Sequence, residues 1–220
     1  MTGKNQISKK VLYRLGIMCA FGFLSTAPVH AADMNASSMK KIGLDEGAMA
    51  PDFEGISYEG KTVKLSEMYQ NGPVVLIFYR GAWCPYCVRH LRSFQDRLDE
   101  IRALGADVLA VSVDQQEFAQ KTVSENTLGF EVITDPAADI LKEYNLIFQV
   151  PDELAEKYKN EYKIDLELHS GRTDHVIAVP ATFIIANDGQ IIFAYANEDY
   201  KVRTEPQEVI DALKEMQLYN

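Results

Sequence analysis

Cysteine is scarce in this chain, with three residues in 220: Cys19, Cys84 and Cys87. That count excludes a disulfide-stapled scaffold and a four-cysteine zinc site. Tryptophan occurs once, at Trp83, directly before Cys84. Positive charge is outnumbered, with 22 Lys and Arg against 32 Asp and Glu and a net charge of −10. Nucleic acid and anionic lipid are therefore not expected as partners, because phosphate binding needs basic patches. The sequence also lacks a glycine-rich phosphate loop, a hydrolase-type serine elbow, internal repeats and low-complexity tracts.

The apolar run Leu15–Leu24 is too short to span a bilayer, which takes ~20 residues. Lys4, Lys9, Lys10 and Arg14 precede it, and Val29-His30-Ala31 follows. This pattern predicts a secretory signal over residues 1–31, cut before Ala32. Cleavage would remove four cations and Cys19, leaving a mature charge of −14 and only Cys84 and Cys87. No membrane span is expected in the mature chain. The expected destination is an oxidising compartment, such as a bacterial periplasm. Residues 32–50 are small and polar and read as a flexible linker. The domain is expected over residues 51–220, long enough to bury a core.

Residues Phe53–Ser57 and Thr62–Leu65 flank Glu59-Gly60 and read as a hairpin. Val74–Tyr79 and Val108–Val113 are continuous apolar runs, suited to central strands. Between them Val88, Leu91, Phe94, Leu98, Ile101 and Leu104 recur at helical spacing, and Gly105 stops the pattern. A helix is expected over Gln115–Leu128, a strand at Val132–Thr134 and a helix from Asp135-Pro136 to Tyr144. Residues 145–175 break the rhythm and read as an insertion able to line or cover a site. Strands are expected around Val176–Val179, Thr182–Ala186 and Ile191–Ala196, then a helix over Glu205–Leu218. The alternation predicts an α/β fold, a central mixed sheet flanked by helices with an N-terminal hairpin.

The chemistry concentrates in Phe78-Tyr79-Arg80-Gly81-Ala82-Trp83-Cys84-Pro85-Tyr86-Cys87. Two cysteines stand where a strand hands over to a helix. The first helical turn has unpaired N–H groups and the positive end of the macrodipole, so a thiolate there is stabilised. Pro85 fits the first helical position. A structural disulfide would close too small a loop to remove much unfolded-state entropy. Half a zinc site fails for want of ligands, since His90, His169 and His175 have no matching spacing; they read as ordinary helix and loop residues. Arg80, four residues before Cys84, is a candidate to stabilise a thiolate. Arg203 reads equally as a site residue or an ion-pair partner of an acidic loop. Trp83 and Tyr86 read as part packing, part site wall, and Asp114 as a strand-end cap.

With these motifs the chain resembles the thioredoxin fold, and Val179-Pro180-Ala181-Thr182-Phe183 matches the segment where that fold carries a cis-proline facing the cysteines. Ala50-Pro51-Asp52-Phe53, Leu76–Tyr79, Asp114 and Pro180–Ile185 further resemble the peroxiredoxins of the alkyl hydroperoxide reductase/thiol-specific antioxidant family. Phe-Tyr-Arg-Gly-x-Trp-Cys-Pro-x-Cys with Asp199-Tyr200-x-x-Arg203 is similar to a peroxiredoxin-like branch of it. Against the usual pattern Cys87 takes the peroxidatic position. Arg80 stands for a proline, Cys84 for a threonine and Pro180 for an arginine. Against thioredoxin, Cys84 is instead the attacking cysteine and Cys87 the resolving one.

The resemblance implies an antioxidant thiol oxidoreductase cycling Cys84 and Cys87 between dithiol and redox-active disulfide. Hydroperoxide would be the substrate, a thioredoxin-like protein the electron donor, and Arg80, Trp83, Pro180 and Arg203 the supporting residues. No cofactor and no metal are implied. A thiol–disulfide oxidoreductase led by Cys84 is the alternative, and a non-catalytic thioredoxin-fold binding module is a third reading, against which the intact Cys-x-x-Cys argues.

Overall fold

The computed structural model describes residues 41–218. The expected signal over 1–31, and residues 32–40 of the expected linker, lie outside the described residues. The seven-stranded sheet runs in the order β2-β1-β5-β4-β3-β8-β9. Its centre is β3 (Val74–Phe78), β4 (Asp107–Ser112) and β5 (Glu131–Thr134), mutually parallel. The hairpin β1 (Glu54–Ser57) and β2 (Thr62–Lys64) pairs antiparallel with β5. On the other side β8 (Ala181–Ile185) runs antiparallel to β3, and β9 (Ile191–Ala196) closes the sheet.

Both faces of the sheet are covered, which is why β3 is uniformly apolar rather than alternating. Its side chains still sort by the two-residue period of a strand. Val74, Leu76 and Phe78 enter one core with Tyr144 and Phe183. Val75, Ile77 and Tyr79 enter the other, with Leu91, Phe94, Ile101, Val209 and Leu213. Full burial of each large side chain is worth roughly 1.5–3 kcal/mol. The second core is roofed by α2 (Pro85–Asp96), α3 (Leu98–Ala103), α4 (Gln116–Asn126) and α8 (Pro206–Leu218), and it contains both cysteines.

Three expectations are corrected. The continuous helix expected through Leu104 is two helices, α2 and α3, broken at Arg97 (φ −115°, ψ 11°). The apolar stripe continues across the break, so periodicity could not show it. The helix expected from Asp135 begins only at Asp139, as α5 (Asp139–Glu143). The Asp135 carboxylate instead accepts from the Asp139 and Leu141 amides, both at 3.0 Å, and so caps the helix. Residues 41–50, expected as linker, are tied to the domain: Gly47 donates to the Ile191 carbonyl, Ala50 to that of Gly189, and Gly43 to that of Asn145. Ile42, Leu44 and Ala48 pack on the core.

The 145–175 insertion folds as β6 (Ile147–Gln149), α6 (Asp152–Glu161) and α7 (Leu166–Ser170). β6 pairs antiparallel with β7 (Val176–Ala178) in a separate two-stranded sheet. Among the described residues no helix is long and apolar enough to cross a membrane.

Candidate active site

The carboxyl ends of β3 and β4 finish level, Phe78 beside Val111, and from there the chain runs through Tyr79–Trp83 into α2. Cys84 is the N-cap of α2, in extended conformation, with Pro85 in the first turn. Its N–H donates to the Gly81 carbonyl at 3.1 Å, and its carbonyl accepts from Val88 at 3.0 Å. Cys87 sits one turn in. Both cysteines are free thiols and buried, at 1% and 0% exposure.

Two donors converge on the Cys87 sulfur. The Arg80 backbone N–H lies 3.4 Å from Sγ, and Arg203 Nη2 lies 3.2 Å from it. These contacts favour a charge on Cys87, but complete burial and the adjacent Cys84 sulfur oppose it and push the Cys87 thiol up. Cys84 is pulled down to about 6, chiefly because the Cys87 thiol donates to it, against its own burial; the Cys87 amide and the charges of Arg80 and Arg203 add to the effect. The opposite shifts favour negative charge on Cys84 and leave one proton to the pair, on Cys87.

Among the described residues the cations around the pair have no carboxylate partner. Arg80 is buried and lies over the rings of Tyr200 at 4.1 Å and Trp83 at 4.8 Å, with its Nη2 donating to the Tyr158 hydroxyl at 2.9 Å. Aromatic faces hold its charge without neutralising it. Arg203 keeps Nε and Nη1 buried with no hydrogen-bond partner among the described residues. The salt-bridge reading of Arg203 is thus overturned, because its guanidinium meets a sulfur. Pro180 is buried one residue before the Ala181–Phe78 pairing, at the same sheet end as the cysteine loop.

Asp114 carries more than a strand-end role. Fully buried, it accepts from the Ala82 amide at 2.7 Å and the Ser112 hydroxyl at 3.0 Å, which fixes the loop entering α2. His169 Nδ1 lies 3.5 Å from its other oxygen. Tyr158 and His169 bring the insertion against Arg80 and Asp114; its broken periodicity flagged the segment but could not name them. Gly81 has φ +149°, and an added Cβ would lie 2.4 Å from Trp83 Nε1 and 2.9 Å from Asp114 Oδ1. Gly81→Ala is expected to cost about 1–3 kcal/mol by overpacking, read by denaturant unfolding, and to shift Trp83 fluorescence.

A groove of about 840 Å³ runs beside Trp83 between α2 and α4, floored by Phe118 and His169; neither cysteine lines it. Among the described residues no cluster of three His, Cys, Asp or Glu is placed to hold a metal ion.

Residues 47–194 match the model of the AhpC/TSA family. The chain is 24% identical to peroxiredoxin Bcp of Escherichia coli, over 78% of this chain and 97% of that protein. It is 23% identical to the thiol-disulfide oxidoreductase ResA of Bacillus cereus, over 76% of this chain and 78% of ResA. The fold matches the crystal structure of peroxidoxin BcpB from Mycobacterium tuberculosis with a TM-score of 0.64 and 17% identity, covering 80% of this chain and 99% of that one.

Proposed function

The chain belongs to the AhpC/TSA family and is a thiol-dependent oxidoreductase, and on that footing we propose that it reduces small hydroperoxides, with Cys87 attacking and Cys84 resolving. The observation that carries this reading is the guanidinium of Arg203 on the Cys87 sulfur at 3.2 Å, with two further nitrogens free. A cation so placed stabilises negative charge on sulfur and on the peroxide oxygens as the O–O bond breaks.

The shared proton makes the step balance. It passes to Cys84 as Cys87 becomes the thiolate. The Cys87 sulfur attacks the nearer peroxide oxygen, an S–O bond forms, the O–O bond breaks, and the leaving oxygen takes the proton from Cys84. Cys87 is then a sulfenic acid and Cys84 a thiolate. Attack of Cys84 on the Cys87 sulfur forms the disulfide and releases hydroxide, which is protonated to water. A thioredoxin-type dithiol donor returns the pair to the reduced state by exchange. Burial of both sulfurs favours a small substrate over a protein disulfide.

A second reading rests on a different observation. Cys84, at about 6 and at a helix N-cap, has the form of a thioredoxin-type nucleophile, and the likeness to ResA supports a disulfide exchanger. Stopped-flow oxidation of the reduced protein, followed by Trp83 fluorescence, separates the two. The proposal expects rapid oxidation by hydrogen peroxide, far above a free thiol, and slow reaction with a model disulfide. Ordinary thiol rates with peroxide and fast exchange with the disulfide would replace the peroxidase by the exchanger.

We also propose export to the periplasm, supported by the charged and apolar pattern of residues 1–24 and the small residues before Ala32. N-terminal sequencing of the protein from a bacterial periplasmic extract should begin at Ala32; an intact Met1 in the cytoplasmic fraction would overturn this.

A further inference from the structure

We propose that His90 is a positioning residue that holds Arg203 against the Cys87 sulfur, through the backbone carbonyl of Thr204. His90 lies three residues after Cys87 on α2, so both side chains leave the same face of one helix. The His90 ring is buried and packs edge-on against Phe94 at 5.1 Å. Its Nε2 lies 2.8 Å from the Thr204 carbonyl oxygen. A carbonyl only accepts, so Nε2 carries the proton and donates, and Nδ1 is left buried without a partner. Burial and the nearby charge of Arg203 keep the ring neutral, holding His90 down to about 4, which suits a single-donor role.

Thr204 is the residue after Arg203 and is itself buried. Arg203 has no ion pair among the described residues, and its only hydrogen bond there is to Cys87. A thiol is a weak partner for a guanidinium, so that contact alone would not fix a flexible side chain against its rotamer entropy. The backbone must do so. On the amino-terminal side the Asp199–Val202 turn shapes the loop, and on the carboxyl-terminal side the Glu205 amide donates to the Glu208 carboxylate. The bond from His90 ties the backbone next to Arg203 to the helix that carries the thiol, while Tyr86 on that helix packs edge-on against Tyr200 farther along the loop. One helix face thereby fixes both the nucleophile and its cation.

The inference builds on the proposed site but concerns the thiol's charge, so its test needs no peroxide. The ultraviolet absorbance of the thiolate is titrated against pH in the reduced protein and in His90→Leu, His90→Gln, Arg203→Met and the double variant His90→Leu/Arg203→Met. Loss of Arg203 should raise the midpoint of the cysteine pair by about 1 unit or more, as expected for removing an adjacent opposite charge. His90→Leu should raise it in the same direction, and in the Arg203→Met background it should add nothing. His90→Gln, whose amide reaches about as far as Nε2, should titrate like the unsubstituted protein. If His90→Leu does not fold, His90→Asn takes its place, since its shorter amide cannot reach Thr204. A midpoint unmoved by His90→Leu or Asn, or shifts that add in the double variant, would overturn the proposal. Failure of the peroxidase reading alone would leave these titrations unchanged.

Discussion

Replacing Cys87 by serine is expected to abolish the fast reaction with hydrogen peroxide, leaving the rate of an uncatalysed thiol. Replacing Cys84 should slow the first oxidation without abolishing it, because the leaving oxygen loses its proton donor, and should end turnover, because the Cys87 sulfenic acid then has no partner within the pair. That species would accumulate and be trapped by a sulfenic-acid reagent, with mass spectrometry placing the label on Cys87. The pH dependence follows from the Cys84 shift. A thiol lowered to about 6 is charged at every pH above that value, so the pair supplies its negative charge across the neutral range. An ordinary thiol, near 8.5, would do so only in alkali. The peroxide rate of the intact protein should rise through about pH 6 and level off by neutrality. The opposite assignment, Cys84→Ser silent in the first step and Cys87→Ser active, would transfer the attacking role to Cys84.

Arg203→Met should lower the rate with peroxide by ~10²–10³-fold, the usual loss when one preorganised donor to developing negative charge is removed. Stability should respond in the opposite sense. Arg203 is half-buried, and among the described residues its buried Nε and Nη1 have no hydrogen-bond partner and its guanidinium no ion pair, so their desolvation is not repaid. A methionine of similar length fills the space without that cost, and the melting temperature should be unchanged or higher. A variant that is both slower and clearly less stable would mean that Arg203 holds the fold together rather than the chemistry. The combination expected here, activity lost while stability is kept or gained, marks strain retained for function.

Much of the molecule was legible in one dimension because its signals are local. The apolar runs Val74–Tyr79 and Val108–Val113 can only be strands buried on both faces, and the cysteine pair between strand and helix announces its chemistry by position. Arg80 and Trp83 were legible for the same reason, lying within four residues of Cys84. The corrections have a shared cause. The break at Arg97 leaves the hydrophobic period intact, and the late start of α5 depends on a side chain of Asp135 turning back on the backbone. The order of residues carries neither fact.

The site beyond its loop was decided by tertiary structure. Arg203 stands 116 residues from Cys87, and its two readings were equal until the fold brought the guanidinium to the sulfur. Tyr158, from an insertion without a readable pattern, reaches Arg80 across 78 residues. His90 read as an ordinary helix residue because its partner is a backbone carbonyl, and a carbonyl has no sequence signature. The sequence by itself determined that two cysteines stand at a strand-to-helix junction of a thioredoxin-like sheet, because strand burial, helix start and cysteine spacing are properties of neighbours along the chain. Only the folded molecule decided how those thiols share a charge, because that depends on burial and on cations brought through space from distant segments, where attraction acts across a few ångströms regardless of sequence separation.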